Sequence, residues 1–198
     1  MPAIGDNGDE PERNDQLLNN WFGQGPARKN PLDWFNDCAR VISLDCGQHI
    51  EWITPLGLPV VQTYSKDVRM ERPNSVKQKN AFAPNFVHSL DSCHMMMTSL
   101  FCQRAGISFA SVHDCFWTHP CSVEVMNKIC RDSFVDLHSQ PILENLSSFF
   151  EKTYGKPFEH LVEKYGSVDS RKLEVFSHVP PRGDFDLEEV KKSTCFFS

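Results

Sequence analysis

Residues 107–119 read ISFASVHDCFWTH: a β-prone apolar run, His113-Asp114 at a tight join, and a second apolar run. A solvent-facing hairpin usually carries Asn-Gly or Asp-Gly at such a join. Here the acid is followed by Cys-Phe-Trp. One reading is a turn Asp bonding its own backbone. The other is a carboxylate held at the tip of a buried hairpin to meet a metal ion. Two Mg²⁺ ions about 4 Å apart can be clamped by fixed acids during phosphoryl chemistry. Mg²⁺ prefers carboxylate and phosphate oxygen. Asp114 suits that task, with His113 beside it, but one Asp cannot hold two ions, so a second acid must come from elsewhere.

Other side chains offer weaker signals. Asp91 is the nearest candidate partner, yet its place in the first turn of an expected helix explains an acid through the helix dipole alone. His88 reads as an ordinary helix-terminal histidine. His113 and His119 could flank a metal, although six-residue spacing across a hairpin is weak metal-site evidence. Phe116 and Trp117 read as core more readily than as base-stacking platforms. An adjacent His-Asp pair also occurs in metal phosphohydrolases, but on a helix among further His ligands. The strand-like flanks SFASV and CFWTH count against that class.

These residues must be positioned by a mixed α+β scaffold. PLDWFNDCARVISL has helical apolar spacing at Leu32, Phe35, Ala39 and Ile42, with Pro31 at the first position. HIEWITPLGLPVVQTY reads as two short strands around a TPLG turn, with Pro59 suited to an edge strand. A helix is expected from Asn85, its cap, to Arg104, with Gly106 past its end. Phe86, Leu90, Met97 and Phe101 would form its core face, and His88, Asp91, Met95 and Cys102 another. After the hairpin, Met126, Ile129, Cys130, Phe134 and Leu137 mark one helix. Pro141 starts the next, with Leu143, Leu146 and Phe150, ending at Gly155. PFEHLVEKYG reads as a short amphipathic turn. FDLEEVKKS reads as a helix start, with Asp186 as cap, Glu189 completing a capping box and Phe185 stapled onto Val190. The apolar tail TCFFS is expected to pack inward.

The chain has 198 residues, 40% hydrophobic and 23% charged, which suits one sizeable domain or two small ones. A net charge of -6 argues against a free-standing basic nucleic-acid module. Locally, SKDVRMERPNSVKQKN reads as a basic loop, holding Lys66, Arg69, Arg72, Lys77 and Lys79 against Asp67 and Glu71. It could face phosphate or solvent. The eight cysteines form no C-x-x-C pair, which speaks for buried thiols in a reducing compartment. No apolar run reaches the length of a membrane span. The polar, acidic first 30 residues read as a disordered leader, neither a secretory signal nor a transit peptide.

Four stretches in order, EWITPLGLPVVQTY, KQKNAFAPNFVHSLDSCHMM, SFASVHDCFWTH and GDFDLEEVKKSTCFFS, resemble the C-terminal part of the single-subunit, phage-type RNA polymerases, most closely the mitochondrial type. The resemblance runs from about Leu32 to Ser198. It implies a right-hand polymerase portion, with residues 31–88 as the end of the fingers and 89–198 as palm. It implies RNA synthesis from ribonucleoside triphosphates on a DNA template with two Mg²⁺ ions, in mitochondria and without a membrane. By resemblance Asp114 is a catalytic metal ligand, and His113 positions the RNA end. His88 lies near the RNA–DNA hybrid, and Lys77 and Lys79 contact nucleic acid. The aromatic tail matches a terminus packed near the active site. Mitochondrial transcription factors would be partners of the whole polymerase. The family's second catalytic Asp and its nucleotide-handling Lys and Tyr have no matching segment here, so the chain alone is expected to be inactive. The loop before APNF is also shorter than the family hairpin that contacts promoter and upstream template. The alternative is a non-catalytic nucleic-acid or polymerase-binding module of the same fold. A fragment should expose an apolar face where partner strands packed, and an evolved module should cover it.

Overall fold

The computed structural model describes residues 30–66, 72–155 and 174–193. Helix α1 (Pro31–Arg40) begins as its sequence suggests, with Asn30 Oδ1 accepting the Leu32 amide at 3.1 Å and Pro31 in the first turn. A π-helical turn, Val41–Asp45, extends it. Strands β1 (Glu51–Ile53) and β2 (Pro59–Val61) pair antiparallel, Trp52 opposite Val60, around the expected TPLG turn. Gly57 closes that turn at φ +83°, a left-handed conformation that costs other residues energy. With only two strands in the sheet, Pro59 sits on an edge.

Helix α2 (Ser75–Arg104) departs from expectation. It starts well before Asn85, and Asn74 is its cap, accepting the Lys77 amide at 3.2 Å. Pro84 lies inside it. An interior proline costs about 3 kcal/mol. The turns before it bury Phe82, Ala83 and Gln78, and that burial outweighs the cost. Lys77 and Lys79 are therefore exposed helix residues rather than loop residues. His88 and Asp91 fall in the helix interior, so neither the helix-terminal nor the first-turn explanation holds for them. The buried set also differs. Phe86 and Leu90 are buried as expected, but His94, Thr98 and Cys102 take the place of Met97 and Phe101, which are half-buried. The cause is that α2 packs against α1 early in its length and against α3 later, so its buried positions wind around it. The helix ends in a Schellman motif. Gly106, at φ +71°, donates to Gln103 O and Ile107 donates to Cys102 O, both at 3.1 Å.

Strands β3 (Ala110–Val112) and β4 (Cys115–Trp117) pair antiparallel, Val112 opposite Cys115. Helices α3 (Val123–His138) and α4 (Ile142–Phe150) follow, and a π turn, Glu151–Gly155, ends the latter at the expected glycine. A short helix α5 (Glu174–Ser177) and a 3₁₀ segment, Leu187–Lys192, complete the described residues. Asp186 caps that segment as expected, but Glu189 turns to Lys192 at 2.6 Å instead of back to the cap, and Phe185 stands 65% exposed. The capping box and staple are thus replaced by local ion pairs. The PFEHLVEKYG turn, the first 29 residues and the TCFFS tail lie outside the described residues. So does the middle of the basic stretch, residues 67–71. The cysteines in the described residues are free thiols, and Cys38, Cys93, Cys102 and Cys130 are buried.

The core sits where α1, the start of α2, β1, α4 and α5 meet. Phe35, Phe82, Phe86, Trp52, Phe150 and Phe176 pack ring against ring with centroids 5.0–6.2 Å apart. The indole N–H groups are satisfied as they are buried: Trp34 donates to Val175 O and Trp52 to Ser89 Oγ, each at 3.0 Å. A polar knot ties the first hairpin to α2. Buried Gln78 donates through Nε2 to Gln62 O at 2.8 Å and contacts His49 Nδ1 at 2.9 Å, while its Oε1 accepts from Gln62 Nε2 at 3.0 Å. Asn85 Nδ2 then donates to Gln62 Oε1 at 2.8 Å.

Candidate functional site

The His113-Asp114 hairpin stands on the outside of the α2–α3 pair. His113 has φ +53°, and among the described residues it is the one non-glycine with positive φ. Histidine is among the residues that tolerate this conformation best. It lets the chain reverse in two residues, with β3 and β4 keeping their register up to Val112 and Cys115. The Asp114 carboxylate projects from the turn, exposed to solvent. Its Oδ1 accepts a long contact from Cys115 Sγ at 3.8 Å.

The expectation of a buried hairpin fails. Side chains alternate along both strands, and only Ser111 and Phe116 are half-buried. That inner face rests on His94: the Phe116 ring lies 6.0 Å from the His94 ring, and Phe109 backs it at 5.3 Å. The other face is open, with Val112 59% and Trp117 50% exposed. The apolar flanks therefore hold the hairpin by one face only. Beside it Asp114, Phe116, Asn127 and Cys130 border a small hollow of about 180 Å³.

His94 escaped the sequence reading, although the even three-residue spacing of His88, Asp91 and His94 was visible. It is buried, and its Nε2 donates to Cys130 O at 2.8 Å. A carbonyl can only accept, so the proton is on Nε2. Burial lowers the pKa of the ring, against the backbone hydrogen bond and Asp91, which raise it. Asp91 moves the other way. Its surroundings push the carboxyl above the usual carboxylate range, chiefly by desolvation; Asp114 adds to the rise, and His88 and His94 oppose it. The side chain keeps 63% of its surface, so solvent screening prevents reading that shift as stored stability. The structure thus brings Asp91 into electrostatic reach of Asp114. His88 Nδ1 lies 3.8 Å from Asp91 Oδ2, with most of its ring exposed.

His88 also borders a second feature. Asn85, His88, Ser89 and Ser92 form one wall of an open groove of about 500 Å³, and β2 with its flanks, through Tyr64, forms the other. Lys77 and Lys79 line neither this groove nor the Asp114 hollow. Among the described residues no group of three or more His, Cys, Asp or Glu is arranged to hold a metal, and no helix is long and apolar enough to cross a membrane.

A family model described as DNA-dependent RNA polymerase matches residues 26–175, a span that contains the groove wall and the hairpin. The chain belongs to the phage-type DNA-dependent RNA polymerase family. Among curated relatives, the human mitochondrial DNA-directed RNA polymerase is 46% identical over 184 residues, covering 83% of this chain and 14% of the relative. The Arabidopsis thaliana mitochondrial DNA-directed RNA polymerase 1 is 44% identical, covering 83% of this chain and 17% of the relative. The Nicotiana tabacum chloroplastic DNA-directed RNA polymerase 3B is 44% identical, covering 87% and 17%. The chain therefore spans about one-sixth of the length of these polymerases.

Proposed function

We propose that this chain supplies the metal-binding hairpin of a mitochondrial DNA-directed RNA polymerase, with residues 31–88 as the end of the fingers and 89–198 as palm. One observation carries the reading: a fully presented carboxylate, Asp114, on a hairpin reversed at a left-handed His113, in a chain 46% identical to a mitochondrial polymerase. The reaction would be attack of an RNA 3′ hydroxyl on a ribonucleoside triphosphate opposite a DNA template.

The donor chemistry of the turn fits Mg²⁺, since the exposed Asp114 carboxylate offers the hard oxygen ligand that this ion prefers over the neighbouring Cys115 sulfur and His113 nitrogen. Asp114 would hold the ion, and bound Mg²⁺ would neutralise charge developing on the transferred phosphate. Its other ligands would be substrate phosphate, water and a further carboxylate. The left-handed turn fixes Asp114 before substrate arrives, which suits electrostatic preorganisation. His113, at the same turn, would position the RNA end. His88, with Asn85 and Ser92 on one wall of the groove, would meet the RNA–DNA hybrid, and the exposed Lys77 and Lys79 would meet phosphate. The open face of Val112 and Trp117 supports the view that further polymerase polypeptide covers the hairpin. Mitochondrial transcription factors would join the whole enzyme.

Primer extension on an RNA–DNA scaffold tests this. Asp114→Asn in the full-length polymerase should lower the extension rate by about 10²–10³-fold or more. The 198-residue chain alone should extend nothing. Full activity in the Asn variant would overturn the catalytic reading in favour of a non-catalytic binding module. Asp114-dependent synthesis by the chain alone would overturn its dependence on further polypeptide.

A further inference from the structure

A cavity of about 380 Å³ is walled by Phe86 and Leu90 of α2, Phe134 and His138 of α3, Leu143 of α4 and Val190 of the C-terminal segment. That segment closes it. Arg182 donates to Ser139 O at 3.4 Å and to Gln140 O, which pins the segment across the α3–α4 turn. Phe185 stands at the rim, exposed. The volume falls at the lower end of the range for small-molecule sites, about 300–1,000 Å³, which suits one or two fused rings.

The lining also sets the charge of what would fit. The His138 ring stacks on Phe134 with centroids 4.0 Å apart, and its Nδ1 donates to Phe134 O at 2.9 Å. Burial, together with the nearby Arg182 and His94, lowers its pKa to about 4 against the pull of the backbone hydrogen bond, so the ring is neutral near pH 7. Arg182 is engaged with carbonyl oxygens, and Glu144 adds the opposite charge to the lining. Both charged side chains are solvent-exposed, whereas Phe86, Leu90, Leu143 and Val190 are buried, so the charges stay in water and the buried lining is apolar. Aromatic faces, in contrast, are presented from three elements.

We propose that this cavity is a binding site for a small, uncharged aromatic molecule. A molecule seated against Phe134 is two ring contacts from the hairpin, because Phe134 meets His94 edge-on at 5.6 Å and His94 meets Phe116 at 6.0 Å.

Indole is the probe, titrated against the 198-residue chain by saturation-transfer NMR, with tryptamine and indole-3-acetate as its cationic and anionic counterparts. Indole should bind saturably, and both charged analogues at least about tenfold more weakly. Val87→Phe, at a further lining position of α2, and Leu143→Phe of α4 fill the cavity from two different helices and should each weaken indole binding by at least about tenfold with unchanged circular dichroism. No saturable indole binding to the native chain would overturn the proposal. So would equal binding by folded filled variants, or equal binding of the charged analogues. If one filling variant fails to fold, the other decides; if both fail, the charged-analogue comparison on the native chain decides.

Discussion

His94 Nε2 donates to the carbonyl oxygen of Cys130 across 2.8 Å, joining α2 to α3 directly behind the hairpin that carries Asp114. The same ring is the floor on which Phe116 rests. One buried side chain thus couples two helices and supports the strand pair. His94→Leu keeps the apolar volume but removes the second hydrogen bond of a carbonyl that already serves its own helix. It should cost about 0.5–1.5 kcal/mol in urea unfolding. A loss of less than a few tenths would show that the bond does not hold the helices together.

Gln78 should be the most sensitive polar position in the described core. Its amide group engages Gln62 from both ends and also reaches His49. Gln78→Leu leaves several buried partners without it and should destabilise by at least about 2 kcal/mol, whereas Asn85→Ala removes one outlying bond and should cost about 1 kcal/mol. Equal losses in chemical denaturation would contradict the hub.

Stability should fall with acid through His138. Its folded pKa, about 4, lies below the ordinary 6.5, so the folded state excludes the proton. The contribution is complete above pH 6.5 and is lost as pH falls toward 4. A shift of this size corresponds to at most about 3 kcal/mol. The loss of unfolding free energy from pH 7 to pH 5 should be smaller in His138→Phe than in the native chain. Parallel pH profiles for the two would refute the assignment.

At the turn itself, His113→Gly should raise stability by a few tenths to about 1 kcal/mol, since glycine adopts positive φ freely. His113→Val should lower it by about 1–2 kcal/mol. Thermal melts of the pair settle the sign. A stabilised valine variant would mean the turn reopens into another conformation.

Much of this arrangement was legible from residue patterns, and the misreadings share a cause. The HD hairpin, the TPLG turn, the Pro31 start, the Gly106 stop and the helix end at Gly155 all depend on local backbone chemistry. Local windows contain that information. The expected start of α2 falls too late because Asn85 has the chemistry of a cap, while the force holding the earlier turns is Phe82 and Gln78 against distant elements. The roles of His88 and Asp91 as helix-end residues fell with that boundary. His94 was missed for a related reason: its significance lies in Cys130 and Phe116, both remote in sequence. The hairpin's exposure on one face could not be read from its composition, which is apolar on both.

The asymmetry of that hairpin also provides an optical handle. Trp34 and Trp52 are sealed in the core, whereas Trp117 stands half in solvent three residues beyond Asp114. Red-edge excitation and acrylamide should address Trp117 in preference to the two core indoles, once Trp21 is replaced by phenylalanine. Its emission then becomes a gauge of whatever settles on the open strand face, whether nucleic acid or another stretch of polymerase, with no label added.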